Sequence, residues 1–110
     1  NILESCRLID KQIRVYYAGS SECFGDTKGV PATENTPFHP QSPYAVAKAS
    51  AFWLVNNYRE SYDNLFICCG ILFNHESPLR KINFVTQKII TTAYRIANGS
   101  DEILEVLFYI

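Results

Sequence analysis

Apolar and polar positions follow one another along the chain in blocks that predict helices and strands in turn. Blocks with helical spacing of apolar residues, or rich in alanine, predict helices, and short β-branched, aromatic or continuously apolar blocks predict strands. The predicted helices cover residues 2–10, 43–62 and 84–97, and the predicted strands cover residues 13–18 and 66–73, with a third beginning at residues 103–106. Asn98 and Gly99 form a typical helix stop, so the last helix is expected to end there.

The stretch from Gly25 to Pro43 is rich in glycine and proline and separates the first predicted strand from the second predicted helix. Proline removes backbone donors and is incompatible with a helix interior, so a long loop is expected here. Ser42 and Pro43 then provide a favourable helix start, with serine as the N-cap and proline in the first turn.

Strands that alternate with helices predict an α/β fold, with a parallel sheet and helices on both faces. In such sheets, ligands bind beyond the carboxyl ends of the strands. Two polar stretches fall at these positions: residues 19–22 follow the first strand, and residues 74–80 follow the second. Candidate chemistry is therefore expected at this edge of the sheet.

The composition argues against several classes of partner. The 110 residues carry a net charge of −1 and no basic run longer than two residues, so nucleic acid is not expected as a partner. The longest apolar run, residues 66–73, is far shorter than the roughly 20 residues of a membrane-spanning helix, so no membrane partner is expected. The start of the chain lacks the basic stretch of a signal peptide. The four cysteines lack zinc-site spacing and predict reduced thiols in a cytoplasmic protein without a metal.

Tyr44 and Lys48 lie four residues apart in a predicted helix and therefore share one face. A phenol with an ordinary pKa of about 10 is a poor base at neutral pH. A neighbouring ammonium stabilises the phenolate, so such a pair can exchange a proton with a substrate hydroxyl. The YxxxK spacing alone is weak evidence, because many helices carry such a pair on their surface without a function.

Ser20 and Glu22 follow the first predicted strand. If the chain stays extended, these two side chains point the same way and Ser21 points to the other face. A hydroxyl and a carboxylate are then expected to face one pocket near the helix of Tyr44. Each residue alone has an ordinary alternative, since Ser20 suits a turn and Glu22 suits a solvated surface.

Several segments resemble signatures of the extended short-chain dehydrogenase/reductase family of nucleotide-sugar enzymes. Residues 20–25, SSECFG, are similar to the family segment in which (S/T)SE precedes an aromatic residue and glycine. Residues 36–48, TPFHPQSPYAVAK, are similar to TPFxPxSPYAxAK. Residues 70–78, GILFNHESP, and residues 83–89, NFVTQKI, resemble the more specific signature of the GDP-mannose 4,6-dehydratase family. The resemblance extends over residues 2–106.

The resemblance implies a role for each residue of the candidate site. Tyr44 would take the proton of the sugar 4-hydroxyl while NADP takes the C4 hydride, and Lys48 would hold the nicotinamide ribose and keep Tyr44 acidic. Ser20, where the family usually has threonine, would hydrogen-bond the substrate O4. Glu22 would remove the C5 proton and help to expel the C6 hydroxyl as water. GDP-mannose would then become GDP-4-keto-6-deoxymannose.

Four further positions carry over from the same resemblance. His75 and Arg80 match cofactor contacts, and an arginine suits a phosphate of NADP. Asn74 and Lys88 match positions on the GDP-sugar side. The resemblance also implies a homo-oligomer for the full-length enzyme.

One expected element of the family is absent from this sequence. The glycines stand at positions 19, 25, 29, 70 and 99, so no GxxGxxG turn is present to bring the backbone close to a pyrophosphate. We therefore expect residues 1–110 to form the central and C-terminal part of an NAD(P)-binding Rossmann-like domain that lacks its first Gly-rich βαβ unit. We also expect this internal section of the enzyme to be inactive alone. Residues 107–110 depart from the continuation that the family predicts.

Two other functions stay open at this point. The chain could belong to a sister nucleotide-sugar reductase or epimerase in which Glu22 is idle, because hydride transfer at C4 needs only the Tyr44–Lys48 pair and a hydroxyl. It could also be a non-catalytic chain with a scaffold role. Glu22 is the residue that discriminates between these functions, since only the dehydratase needs a separate base for elimination.

Overall fold

The computed structural model describes residues 2–9 and 13–106. These residues form two compact units, which divide between Asn74 and His75. The elements are, in chain order, α1 (Ile2–Leu8), β1 (Arg14–Ser20), a 3₁₀ helix (Ser21–Phe24), α2 (Pro43–Ser61), β2 (Phe66–Leu72) and α3 (Val85–Ala97). The first unit holds the elements from α1 to β2, and the second holds α3.

The two strands of the first unit pair in parallel, with Arg14 opposite Phe66 and Ser20 opposite Leu72. Parallel neighbours need a crossover between them, and α2 provides it. The predicted α/β class and the parallel pairing of the two strands are therefore confirmed. Because the strands run the same way, their carboxyl ends lie at the same edge of the sheet.

The core of the first unit lies on one face of this sheet. Val55 of α2 is buried together with Leu65 and Ile67 at the start of β2. Partly buried residues of α1, β1, α2 and β2 pack around them: Leu3, Cys6, Val15, Tyr17, Tyr58, Tyr62 and Cys69. Within the first unit, α1 and α2 thus cover the same face, whereas Tyr16 and Phe66 on the opposite face are largely exposed.

A polar network also joins α1 to α2. Arg7 donates to both carboxylate oxygens of Glu4, with Nε 3.0 Å from Oε2, and its guanidinium lies over the ring of Tyr62. The Tyr58 hydroxyl donates to the same carboxylate at 3.0 Å. The Arg7 guanidinium lowers the pKa of Glu4 to about 2, and the Tyr58 hydrogen bond acts in the same direction against the effect of burial.

The start of α2 follows its sequence signals. Ser42 is the N-cap, and its Oγ accepts a hydrogen bond from the Ala45 amide at 3.0 Å, while Pro43 occupies the first turn. The helix ends at Ser61, one residue before the predicted end. In the second unit, α3 ends at Ala97, and the Asn98 cap is followed by Gly99 at a φ of +91°. The predicted stop is therefore observed.

The Gly- and Pro-rich segment forms a loop, as predicted, and aromatic contacts hold it against α2. The Phe38 ring lies 4.8 Å from the Phe52 ring and 6.2 Å from the Trp53 ring, measured between centroids. Near the 3₁₀ helix, the His39 amide donates to the Cys23 carbonyl at 2.9 Å. The loop is thus anchored to the elements that carry the candidate site.

The prediction of a strand at residues 103–106 is wrong. The structure assigns neither strand nor helix to residues 101–106, and Ile103 is 85% exposed. A strand is stable only when it pairs with a neighbour, and the described part of the second unit contains no other strand.

The helices observed across residues 2–9 and 13–106 include none with the length and apolar character that a membrane span requires.

Candidate active site

The chain turns immediately after β1, so the expected extended geometry at Ser20 and Glu22 is wrong. Residues Ser21–Phe24 form a 3₁₀ helix, and Ser20 is its N-cap. The Ser20 Oγ accepts a hydrogen bond from the Glu22 amide at 3.3 Å, a local serine contact that competes with continuation of a strand. Ser20 is nearly buried, whereas Glu22 is exposed.

Gly25 ends this 3₁₀ helix in a conformation that favours glycine, with φ +64° and ψ −145°. Its amide donates to the Glu22 carbonyl, and a side chain at this position would meet the carbonyl oxygen of His39. The turn that presents Glu22 therefore depends on this glycine.

Tyr44 and Lys48 lie one turn apart near the start of α2, with the Lys48 ammonium 5.7 Å from the centroid of the Tyr44 ring. The Lys48 Nζ donates to the carbonyl oxygen of Ala18 at 2.9 Å, which brings the helix side chain to the end of β1. Tyr44 is 56% exposed. The phenol is thus open to a ligand, and the ammonium next to it is fixed by the sheet.

The 3₁₀ helix packs against the start of α2, which places all four predicted catalytic residues in one region of the first unit. Cys23 is almost fully buried at this contact, and its Sγ lies 3.9 Å from the carbonyl oxygen of Ala45. Ala45 directly follows Tyr44, and Cys23 directly follows Glu22. The two chain segments that carry the candidate base residues are therefore in contact through their neighbours.

A cavity of about 690 Å³ opens beside this turn. Its lining includes Ser21, Glu22, Asp26, Gln41, Ser42 and Phe73. Ser20, Tyr44 and Lys48 do not line it. Glu22 thus borders a space of suitable size for a sugar, and the single pocket expected for all four residues is not observed as one cavity.

Asn74 lies at the same sheet edge as the predicted catalytic residues. It comes two residues after Leu72, which pairs with Ser20, and its side chain is exposed. The parallel sheet therefore brings one predicted substrate-binding residue to the edge where Ser20 ends β1.

The remaining predicted residues belong to the second unit. The guanidinium of Arg80 lies 3.8 Å from the centroid of the Phe84 ring, and its Nε lies 3.4 Å from the Glu76 carboxylate. His75 is the first residue of this unit and is exposed. Lys88 projects from the first turn of α3 and lines a cavity of about 530 Å³. The roles of these residues stay a prediction.

Tyr17 is a neighbour of Lys48 that no sequence pattern predicts. Its hydroxyl donates to the Lys48 carbonyl at 3.2 Å, and its ring lies 5.5 Å from the Lys48 ammonium. Burial raises the pKa of Tyr17, and the nearby Cys69, Cys23 and Tyr44 raise it further. No local sequence pattern predicts this contact, because the two residues lie on different elements and come together only in the folded chain.

The chain matches known proteins along nearly all of its length. The family described as GDP-mannose 4,6 dehydratase matches residues 1–107. A GDP-mannose 4,6 dehydratase of Dictyostelium discoideum is 52% identical over 102 residues, which are 93% of this chain and 28% of that protein. The corresponding enzyme of Vibrio cholerae is 50% identical over 105 residues, 94% of this chain and 28% of that protein. The chain thus spans a little over a quarter of these curated relatives.

Solved structures resemble this fold as well. A dTDP-glucose 4,6-dehydratase from Bacillus anthracis, solved in complex with NAD, superposes with a TM-score of 0.78 at 25% identity over 86% of this chain and 30% of its own. RMD from Pseudomonas aeruginosa, solved with NADPH, gives a TM-score of 0.76 at 24% identity over 89% of this chain and 34% of its own, a likeness of fold alone. The parallel sheet and its flanking helices are therefore part of a Rossmann-like fold, and the chain belongs to the GDP-mannose 4,6-dehydratase family.

Proposed function

We propose that this chain forms the catalytic middle section of an NADP-dependent GDP-mannose 4,6-dehydratase, a lyase that converts GDP-mannose to GDP-4-keto-6-deoxymannose with loss of water. The observation that carries the proposal is the contact between α2 and the end of β1. There Lys48 lies beside Tyr44 and donates to the carbonyl of Ala18, two residues before Ser20. The membership of the family supplies the substrate class.

The donors on these elements fit a nicotinamide cofactor. Lys48 uses one of its three N–H groups on the Ala18 carbonyl, which leaves two for the hydroxyls of a ribose. The NAD and NADPH bound by the two structural neighbours support a cofactor of this kind. The family resemblance implies further cofactor contacts at His75 and Arg80. When bound, NADP would accept a hydride from C4 of the sugar and return it to C6. Residues 1–110 would be the central and C-terminal part of the domain that binds it.

Tyr44 would take the proton of the sugar 4-hydroxyl. Its phenol is exposed to a ligand, and the Lys48 ammonium lies 5.7 Å from the centroid of its ring. Ser20 assists from β1. Because its Oγ accepts a hydrogen bond from the Glu22 amide, its own proton stays available for donation to the substrate O4.

Glu22 would be the base for the elimination of water. Among the residues that the structure describes, none forms a hydrogen bond or an ion pair with the Glu22 carboxylate, which lines the cavity of about 690 Å³. A carboxylate free of partners can take the C5 proton, which the 4-ketone acidifies, and deliver it to the departing C6 hydroxyl. The 3₁₀ turn thereby presents the base to a space that a hexose can enter.

The family resemblance implies that two further residues contact the GDP-sugar. Asn74 offers an exposed amide at the sheet edge, and Lys88 offers an ammonium at the cavity beside α3. We further propose a cytoplasmic enzyme that works as a homo-oligomer. The four free cysteines support the location, because thiols stay reduced in the cytoplasm.

A segment exchange tests the proposed function directly. Residues 1–107 replace the matching segment of the Dictyostelium relative, and the hybrid enzyme is assayed for the 4-keto-6-deoxy product from GDP-mannose. We expect turnover by the hybrid and its loss on Tyr44→Phe, with Tyr94→Phe on an exposed position of α3 as the matched control. A hybrid that melts like the Dictyostelium enzyme but forms no product would contradict the proposal. A hybrid that only moves hydride would favour the sister reductase or epimerase.

A further inference from the structure

Tyr17 connects β1 to the backbone of α2 at the position of Lys48. The ring is partly buried against the core formed by Val55, Leu65 and Ile67. From there the hydroxyl reaches the Lys48 carbonyl and donates to it at 3.2 Å. This hydrogen bond fixes the position of α2 relative to β1 at Lys48, the residue whose side chain carries the ammonium.

The Lys48 ammonium lies between two phenol rings. Its Nζ is 5.5 Å from the centroid of Tyr17 and 5.7 Å from the centroid of Tyr44, and it donates to the Ala18 carbonyl at 2.9 Å. The faces of aromatic rings attract cations at such distances. The ammonium is therefore held by a strand carbonyl and two rings, one from β1 and one from its own helix.

The two phenols differ in what they can do. The Tyr17 hydroxyl donates its proton to a backbone carbonyl. The titratable and charged groups near Tyr17 are Cys69 of β2, Cys23 of the 3₁₀ helix, and Tyr44 and Lys48 of α2. Burial, the largest influence, raises its pKa, so it stays a donor at neutral pH. Tyr44 is exposed, and among the described residues no hydrogen bond occupies its hydroxyl. Only one phenol beside this ammonium is thus free to exchange a proton with a ligand.

We propose that Tyr17 is a positioning residue for the Tyr44–Lys48 pair, holding Lys48 against the end of β1 through its ring and its hydroxyl. This inference rests on the proposed function, because the pair is assigned to proton transfer there. Tyr17 itself contacts no reacting atom. It acts through the position of the Lys48 ammonium next to Tyr44.

The first test uses the hybrid enzyme with Tyr17→Phe, which keeps the ring and removes the donor. We expect kcat to fall about tenfold, the size of one well-made hydrogen bond, while KM stays within about twofold because no substrate contact is lost. Tyr16→Phe is the matched control, because Tyr16 is the preceding residue of β1 and its ring lies on the opposite face.

The second test needs no activity and uses the complete 110-residue chain. The side-chain NMR signal of the Lys48 ammonium, assigned with Lys48→Gln, reports the two rings around it. Tyr17→Leu should shift this signal, Tyr17→Phe should shift it less, and Tyr16→Leu should leave it in place, with circular dichroism confirming that each variant is folded. An unchanged signal in Tyr17→Leu would overturn the proposal, as would a parental kcat in Tyr17→Phe. If the hybrid forms no product, the proposed function fails, and the NMR signal alone decides the positioning role.

Discussion

Replacing Gly25 by alanine should destabilise the turn that presents Glu22, and Gly29 offers a matched control in the same loop. Both glycines have a positive φ, +64° for Gly25 and +76° for Gly29. A β-carbon at Gly25 would clash with the carbonyl oxygen of His39, whereas a β-carbon at Gly29 meets nothing within 4 Å. Both substitutions therefore place a side chain at a positive φ, and only Gly25→Ala adds a steric clash.

The structure sets the size of the difference. Alanine in the left-handed region costs about 1 kcal/mol, which is the expected effect at Gly29. The conformation of Gly25 is almost exclusive to glycine and costs other residues about 1–3 kcal/mol. The His39 carbonyl must also move, and this strains the bond from the His39 amide to Cys23, worth about 1 kcal/mol. We expect Gly25→Ala to lose about 3 kcal/mol in total, about 2 kcal/mol more than Gly29→Ala.

Urea unfolding followed by tryptophan fluorescence measures this difference. Trp53 is the single tryptophan, and its ring contacts Phe38, the residue next to His39. With a slope of about 1–3 kcal/mol per molar urea, the midpoint of Gly25→Ala should fall about 1 M below that of Gly29→Ala. Equal midpoints for the two variants would refute the reasoning, because they would show that the carbonyl of His39 does not crowd this position.

Two further outcomes are expected of the 110-residue chain. The stability that Glu4 contributes through Arg7 should be fully present above pH 4.5 and lost as the pH falls towards about 2, because the pKa of Glu4 is lower in the folded state. The melting temperatures of the parent and of Glu4→Gln should therefore converge as the pH is lowered. Parallel curves of melting temperature against pH would contradict this. Calorimetry should detect no binding of NADP, because the sequence holds no GxxGxxG turn for the pyrophosphate, and stoichiometric binding would overturn that expectation.

Most of the fold could be predicted because its signals are local. A few residues suffice to predict an element in each case, as at the Ser42-Pro43 start of α2 and in the apolar run of β2. The observed bounds differ from the predicted ones by at most two residues. The third strand could not be excluded in this way. Residues 103–106 have a suitable composition, but strand formation depends on a partner that the local sequence does not specify.

The four predicted catalytic residues lie in one region of the first unit, but the local geometry at Ser20 and Glu22 differs from the predicted one. The alternation rule failed after Ser20 because the serine side chain bonds to the backbone two residues later and starts a 3₁₀ helix. Tyr17 was missed for a different reason. A tyrosine in a strand is ordinary by composition, and its bond to Lys48 joins positions 31 residues apart.

The central claim is that Glu22 is the base for elimination, and Glu22→Gln in the hybrid enzyme tests it most directly. Glutamine keeps the size of the side chain and removes its basic lone pair. We predict that oxidation at C4 persists as transient NADPH absorbance, while formation of the 4-keto-6-deoxy product slows on the order of 10²–10⁴-fold. The control is Glu34→Gln at an exposed carboxylate of the loop that follows the 3₁₀ helix, which should leave the rate unchanged. Formation of the 4-keto-6-deoxy product by Glu22→Gln at the parental rate would contradict the account, because elimination would then use another base.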